Sequence, residues 1–223
     1  MNKKLFLQAI LKFVFGVLLV GLLVFLPAGT IRYFQGWLFM GVLFVPMFVA
    51  GLVMMGKNPG LLESRLNAKE KQADQSLVVK LSGLMFLVGF IVAGLDFRFG
   101  WCPLPKGVSA GASVGFLAAY VLYAEVLREN IYLSRTIEVQ EGQQVVDTGL
   151  YGIVRHPMYS VTLVLFLTMP LVLGSIYAFV IFLVYPFIIA KRIGNEEQVL
   201  TAALDGYAAY KEKVRWRLLP FIW

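Results

Sequence analysis

The sequence predicts an all-α integral membrane protein with about five to six transmembrane helices, including a C-terminal helical hairpin, followed by an amphipathic interfacial helix. The chain is 59% hydrophobic and only 15% charged, and its mean hydropathy is +0.77. These values lie well outside the range of a soluble domain. The apolar residues also form runs long enough to cross a hydrocarbon core about 30 Å thick. We therefore expect residues 1–223 to form a single membrane domain.

The amino-terminal region, residues 1–127, is expected to hold four spans. The first apolar run follows Lys3 and Lys4, as in a signal peptide. Its length of about 22 residues exceeds the roughly 7–15 residues of a signal-peptide core, so we expect a retained first span. The four runs lie near residues 5–26, 34–55, 77–95 and 108–127.

The next apolar run, residues 158–190, is too long for one straight span and short for two. Pro170 and the Gly174-Ser175 pair lie at its middle, where a hairpin turn is expected. The two arms either cross the membrane or enter it and return. Both arrangements bring Arg192 back to the side of His156.

The stretch 195–214 predicts an amphipathic helix at the membrane surface. Leu200, Leu204 and Tyr207 share one helical stripe, and Tyr210 follows Tyr207 at i+3. We expect residues 128–223, with the hairpin and this helix, to form the catalytic region.

The distribution of positive charge predicts the orientation. Seventeen of the twenty Lys and Arg residues fall on one face of the predicted topology, and Arg32, Arg98 and Lys106 fall on the other. The positive-inside rule therefore places both termini and the polar motifs on the cytoplasmic side. Because the net charge of +7 follows topology, it does not indicate nucleic-acid binding.

Two polar clusters are predicted to meet on this face. The first, Gly149 to Tyr159, contains the only histidine of the chain, and the second contains Arg192, Glu196 and Glu197. Arg192 and Glu196 share a helical face at i,i+4, with Glu197 about 100° around the helix. Taken singly, these residues also suit surface ion pairs or interfacial anchors. Together they offer the aromatic faces, carboxylate and donors that a sulfonium cofactor requires.

Other chemistries find no support in the sequence. Rossmann, Walker, zincin and Gly-x-Ser-x-Gly motifs are absent. One cysteine and one histidine cannot form a Cys/His metal cluster, so no metal is expected.

The run from Val145 to Tyr159, the hairpin, the Arg192-x-x-x-Glu196-Glu197 spacing, the Gly206-Tyr207-x-x-Tyr210 pattern and the final RLLP together resemble the isoprenylcysteine carboxyl methyltransferase family. This family is part of a wider group of integral membrane methyltransferases that includes phospholipid N-methyltransferases. The resemblance is specific over residues 140–220 and suggests a bacterial-type member in the inner (cytoplasmic) membrane.

The resemblance implies S-adenosylmethionine as cofactor and a lipophilic or lipidated acceptor that arrives from the membrane lipids. Arg192 maps onto the family's substrate-side arginine. Arg155 is a further cofactor-binding candidate because it directly precedes His156 and Pro157 in the Arg-His-Pro run. The family's cofactor contacts map onto Gln140, Gln143, Gln144, Val145, Val146, Tyr151, His156, Pro157, Met158, Tyr159 and Glu196.

The resemblance implies carboxyl O-methylation. A carboxylate acceptor is ionised at neutral pH, so it needs positioning rather than a base. Arg192 is expected to orient it. A phospholipid or lipid-amine acceptor is the alternative, with Glu197 or His156 as the base. An NADPH-dependent membrane reductase and a non-enzymatic membrane protein are alternatives of other classes.

Overall fold

A computed structural model describes residues 3–66, 73–133, 137 and 139–223, and this part of the chain is helical without strands. Its helices are α1 (Lys3–Ala28), α2 (Phe34–Lys57), α3 (Pro59–Leu66), α4 (Ala73–Phe99), α5 (Lys106–Glu129), α6 (Pro157–Val172), α7 (Ile176–Phe182), α8 (Tyr185–Ala203) and α9 (Tyr207–Lys213).

Five helical stretches are long and apolar enough to cross a membrane, which confirms the predicted fold class. They are α1, α2, α4, α5 and the stretch Ile176–Ala203 made of α7 and α8; α6 is a shorter apolar helix. Each of the four predicted amino-terminal runs lies inside one of these helices. The protein is therefore a multi-pass membrane protein.

The helices pack in a closed circuit. α1 packs on α4, α4 on α7 and α8, and these two helices on α6; α6 packs on α5, α5 on α2, and α2 on α1. The contact of α1 with α4 is close because α4 has a glycine there: a Cβ on Gly94 would lie 2.5 Å from the Val24 carbonyl oxygen. Helices of this circuit line the cavity described below.

The hairpin of α6 and α7 extends to the face opposite the two polar clusters. Its turn binds the ends of the other spans: the Tyr33 hydroxyl donates to the Leu173 carbonyl oxygen (2.5 Å), and the Ser175 hydroxyl to the Asp96 carboxylate (2.5 Å). Ser175 also pairs with Pro103 in the α4–α5 connection. The hairpin therefore reaches the connections at the far end of the other helices.

The second arm of the hairpin is divided into two helices, α7 and α8, and α8 extends beyond residue 190, where the predicted apolar run ends. Pro186 lies in the first turn of α8, where its missing N–H and its ring interrupt the helix that α7 began. α8 then runs to Ala203. The stretch 195–214, predicted as one helix, is thus divided between the end of α8 and α9, because the chain turns at Gly206, which has a φ of +82°.

Candidate functional site

A cavity of about 980 Å³ is lined by residues of most of the helices. Most of its wall is apolar and comes from α1, α2, α4 and α5, whereas polar side chains line it where α6, α8 and α9 meet. This polar end contains residues of both motifs, among them Tyr151, His156, Tyr159, Arg192 and Glu196. The predicted convergence of the two clusters is therefore observed.

The start of the first motif is held by the end of α5. Both carboxylate oxygens of Glu129 accept from the backbone N–H of Leu150, at 3.0 and 3.3 Å. Gly149 has a φ of +51°, and a Cβ there would lie 1.5 Å from Glu129 Oε1. A side chain here would displace the Glu129 carboxylate and strain the backbone, so glycine is favoured at this position, which begins the 3₁₀ turn carrying Tyr151.

The carboxyl-terminal segment runs alongside the Arg155-His156 pair. The backbone N–H of Arg155 donates to the Trp216 carbonyl oxygen (2.8 Å), and that of His156 to the Arg217 carbonyl oxygen (2.9 Å). The Arg155 guanidinium also donates to the carbonyl oxygens of Val214 and Arg215, both at 2.8 Å. The end of the chain is thus part of the support for the motif.

Glu197 lies at the centre of this support and is only 3% exposed. Its Oε1 accepts from Arg155 Nε at 2.7 Å and lies 3.3 Å from His156 Nε2, while Oε2 accepts from Arg217 Nε at 3.0 Å. A buried carboxylate needs such partners, and here they satisfy both oxygens. Glu197 does not contribute to the cavity wall.

The neighbouring Glu196 lines the cavity. The Tyr159 hydroxyl donates to its carboxylate and accepts from Arg192 Nε at 2.9 Å. The Arg192 guanidinium also lies 5.9 Å from the centroid of the Tyr159 ring, and the His156 ring stacks on that ring at 5.7 Å. A cation, a phenol and a carboxylate therefore meet at one point of the wall.

The structure brings most of the predicted site residues to the cavity. Gln140, Pro157 and Glu197 are not in its wall: Gln140 Nε2 donates to the Tyr132 carbonyl oxygen (2.8 Å), and Pro157 begins α6. The predicted residues that line the cavity are Gln143, Gln144, Val145, Val146, Tyr151, Arg155, His156, Met158, Tyr159, Arg192 and Glu196.

Several lining residues were not predicted as part of the site. Arg65 on α3 and Tyr123 on α5 reach the cavity, as do Lys12 and Asn130. In the sequence, Arg65 is one of several basic residues between two spans, which indicates topology and nothing more. Tyr207 and Tyr210 were noted only as part of a pattern, and both line the polar end.

The polar end also carries a buried donor with no partner in the described part of the chain. Tyr207 is one of the lining residues, and its hydroxyl is buried and has no hydrogen-bond partner among the described residues. Burial raises the pKa of this hydroxyl, and the charges of Glu197 and Glu196 raise it further, so it remains a donor at neutral pH. A buried donor without a partner is unfavourable unless a ligand satisfies it. Among the described residues, no group of three or more His, Cys, Asp or Glu could hold a metal ion.

Residues 113–202 match the model of the isoprenylcysteine carboxyl methyltransferase (ICMT) family. The match extends from the middle of α5 through the first motif to the end of α8, and so includes both polar clusters. It confirms the resemblance predicted from the motifs and indicates a membrane methyltransferase. No curated protein matches the chain.

Proposed function

We propose that this protein uses S-adenosylmethionine to methylate the carboxylate of a lipophilic acceptor. The observation that carries the proposal is the meeting of Arg192, Tyr159 and Glu196 at one end of a cavity whose remaining wall is mostly apolar. A charged cofactor suits the polar end, and a hydrocarbon chain suits the rest.

When bound, S-adenosylmethionine supplies an electrophilic methyl group, whose transfer to a carboxylate oxygen gives a methyl ester and neutral S-adenosylhomocysteine. Glu196 would bind the amino group of the cofactor. The amino-terminal end of α6 and His156 would face its carboxylate, since helix N-termini favour anions. The Tyr159 ring and the Tyr207 hydroxyl would complete the pocket. Arg155 would act indirectly, by holding the motif against the carboxyl-terminal segment.

The acceptor is better explained as an acid than as an amine. A carboxylate with a pKa of about 4 is ionised at neutral pH and needs only orientation, which Arg192 supplies. An amine would need a base to remove a proton. The two candidates, Glu197 and His156, lie 3.3 Å apart, and Glu197 is also bound by two arginines. This arrangement favours a positioning role for Glu197.

We place the site on the cytoplasmic side of a bacterial inner membrane. The support is the topology predicted from the sequence, in which seventeen of the twenty basic residues fall on the face that is expected to carry both termini and the polar motifs.

Calorimetric titration of the detergent-purified protein with S-adenosylhomocysteine tests the cofactor. We expect micromolar binding that is lost in Glu196→Ala. Arg192→Ala should retain this binding but lose methyl transfer, whereas Lys191→Ala, an exposed neighbour on the same helix, should change neither. Equal loss of binding in the Glu196 and Arg192 variants would contradict these roles.

The same sample separates the alternatives. If the intact protein binds NADPH but not S-adenosylhomocysteine, the result would contradict the methyltransferase proposal and indicate a reductase. Transfer of a labelled methyl group to phosphatidylethanolamine, but not to an isoprenylcysteine, would identify an amine methyltransferase.

A further inference from the structure

The short helix α3 directs an arginine to the cavity wall. The helix begins after Asn58, whose side-chain oxygen accepts from the Leu61 N–H at 3.1 Å. At its other end, the Leu66 carbonyl oxygen accepts from Lys12 Nζ at 2.6 Å, which ties α3 to α1. Arg65 is thus placed by a helix that is held at both ends.

Arg65 lies beside the polar end of the cavity. Its guanidinium donates to the Tyr123 hydroxyl and lies 5.6 Å from the centroid of that ring. Its Nη1 is 3.9 Å from the sulfur of Met158, the residue before Tyr159. Arg65 therefore approaches the place where Tyr159 meets Glu196 from α3, whereas Arg192 approaches it from α8.

Arg65 is half-buried and has no carboxylate partner among the described residues. A guanidinium remains charged at all physiological pH values and carries five N–H donors. In a mostly apolar cavity within a membrane, such a charge is unfavourable unless an anion neutralises it. Tyr123 accepts one hydrogen bond and supplies no charge.

We propose that Arg65 binds an anionic oxygen of the lipophilic acceptor and so selects acids over neutral esters and amines. The identification of the bound molecule as the methyl acceptor rests on the proposed function. Arg65 and Arg192 line the same cavity, and in this proposal both cations act on the acceptor. Arg65 thereby affects acceptor affinity more than the rate of transfer.

The test measures equilibrium binding of S-farnesylthioacetic acid and of its uncharged methyl ester to the full-length protein in detergent. The wild-type protein should bind the acid at least tenfold more tightly. In Arg65→Gln the affinity for the acid should fall roughly ten- to hundredfold, the value of a hydrogen bond to a charged group, and that for the ester should not change. Lys57→Gln, which removes an exposed positive charge from the same face, is the matched control.

Tyr123→Phe is a second variant, which retains the charge but removes the oxygen that orients it. It should weaken acid binding by a smaller factor, about two- to tenfold. Unchanged acid affinity in an Arg65→Gln protein that still binds S-adenosylhomocysteine would overturn the proposal. An equal loss for acid and ester would overturn it too, because it would indicate altered packing.

An anionic lipid headgroup is the other possible source of such an oxygen. Phosphatidylglycerol added to the micelles should not displace the acid, and displacement that depends on Arg65 would assign the site to the headgroup instead. Titration with S-adenosylhomocysteine in the same samples keeps the two proposals apart. Arg65-dependent acid binding without S-adenosylhomocysteine binding would refute the methyltransferase and leave an anion site.

Discussion

Replacing Glu197 with glutamine should distinguish a positioning residue from a catalytic base. The substitution keeps the shape of the side chain but removes the negative charge that Arg155 and Arg217 contact. Arg155 is buried, so it would remain in the interior without a countercharge.

The expected loss of stability follows from the burial of the two charges. Removing one partner of a buried ion pair costs about 3–5 kcal/mol. The Arg217 side chain is 36% exposed, and its bond to Glu197 adds little. We therefore expect about 3 kcal/mol for Glu197→Gln. For a chain of this size, that corresponds to a decrease in Tm of roughly 6–12 °C.

The assay combines thermal unfolding in detergent with limited trypsin digestion and S-adenosylhomocysteine titration. Glu197→Gln should unfold at lower temperature, and cleavage after Arg215 should accelerate because the carboxyl-terminal segment is released from Arg155. Glu212→Gln, an exposed carboxylate on α9, is the control and should change neither. Full stability and full cofactor binding in Glu197→Gln, with turnover alone lost, would refute our reasoning and identify Glu197 as a base.

Two further predictions concern the walls of the polar end. Gly149→Ala places a Cβ against the Glu129 carboxylate and should lower both Tm and S-adenosylhomocysteine affinity, measured as above. Gly142→Ala, at a φ of +71° with open space around it, should cost only the roughly 1–2 kcal/mol of a left-handed backbone; equal effects of the two substitutions would contradict the steric explanation. Tyr207→Phe should leave Tm unchanged but weaken S-adenosylhomocysteine binding several-fold, since its hydroxyl has no partner among the described residues. Tyr210→Phe, which removes a hydrogen bond to the Tyr151 carbonyl oxygen, should instead lower Tm, and a stability loss in Tyr207→Phe would show that its hydroxyl has a structural role.

The spans and the convergence of the motifs were predictable because both depend on hydropathy along the chain. A hydrocarbon core demands long apolar helices, so length and composition locate them. The turn near Gly174 followed from glycine and proline chemistry, and once a hairpin was expected, His156 and Arg192 had to lie on the same face. The family match over residues 113–202 includes the same region.

The packing of the carboxyl-terminal segment against Arg155 and His156 was not predictable. It consists of contacts that leave no recognisable pattern in the nearby sequence. The backbone bonds from Arg155 and His156 to the carboxyl-terminal segment join residues about sixty positions apart and place no requirement on side chains at the acceptor positions. Likewise α3 has only eight residues and no apolar stripe, so its sequence cannot be distinguished from that of a polar loop between two spans. Arg65 therefore became a candidate only when its position was known.

The consecutive glutamates of α8 show how one short motif supplies both function and support. Successive residues on an α-helix point about 100° apart, so a helix between a cavity and a packed segment can direct one carboxylate to each. Glu196 faces Tyr159 and the cavity, and Glu197 faces Arg155 and the end of the chain. The surroundings of the two carboxylates differ accordingly. Glu196 has a tyrosine hydroxyl and the open cavity beside it, whereas Glu197 has two arginines. The pair thus couples the docking of the carboxyl-terminal segment to the position of the group that we propose binds the cofactor, since any rotation of α8 would move both carboxylates together.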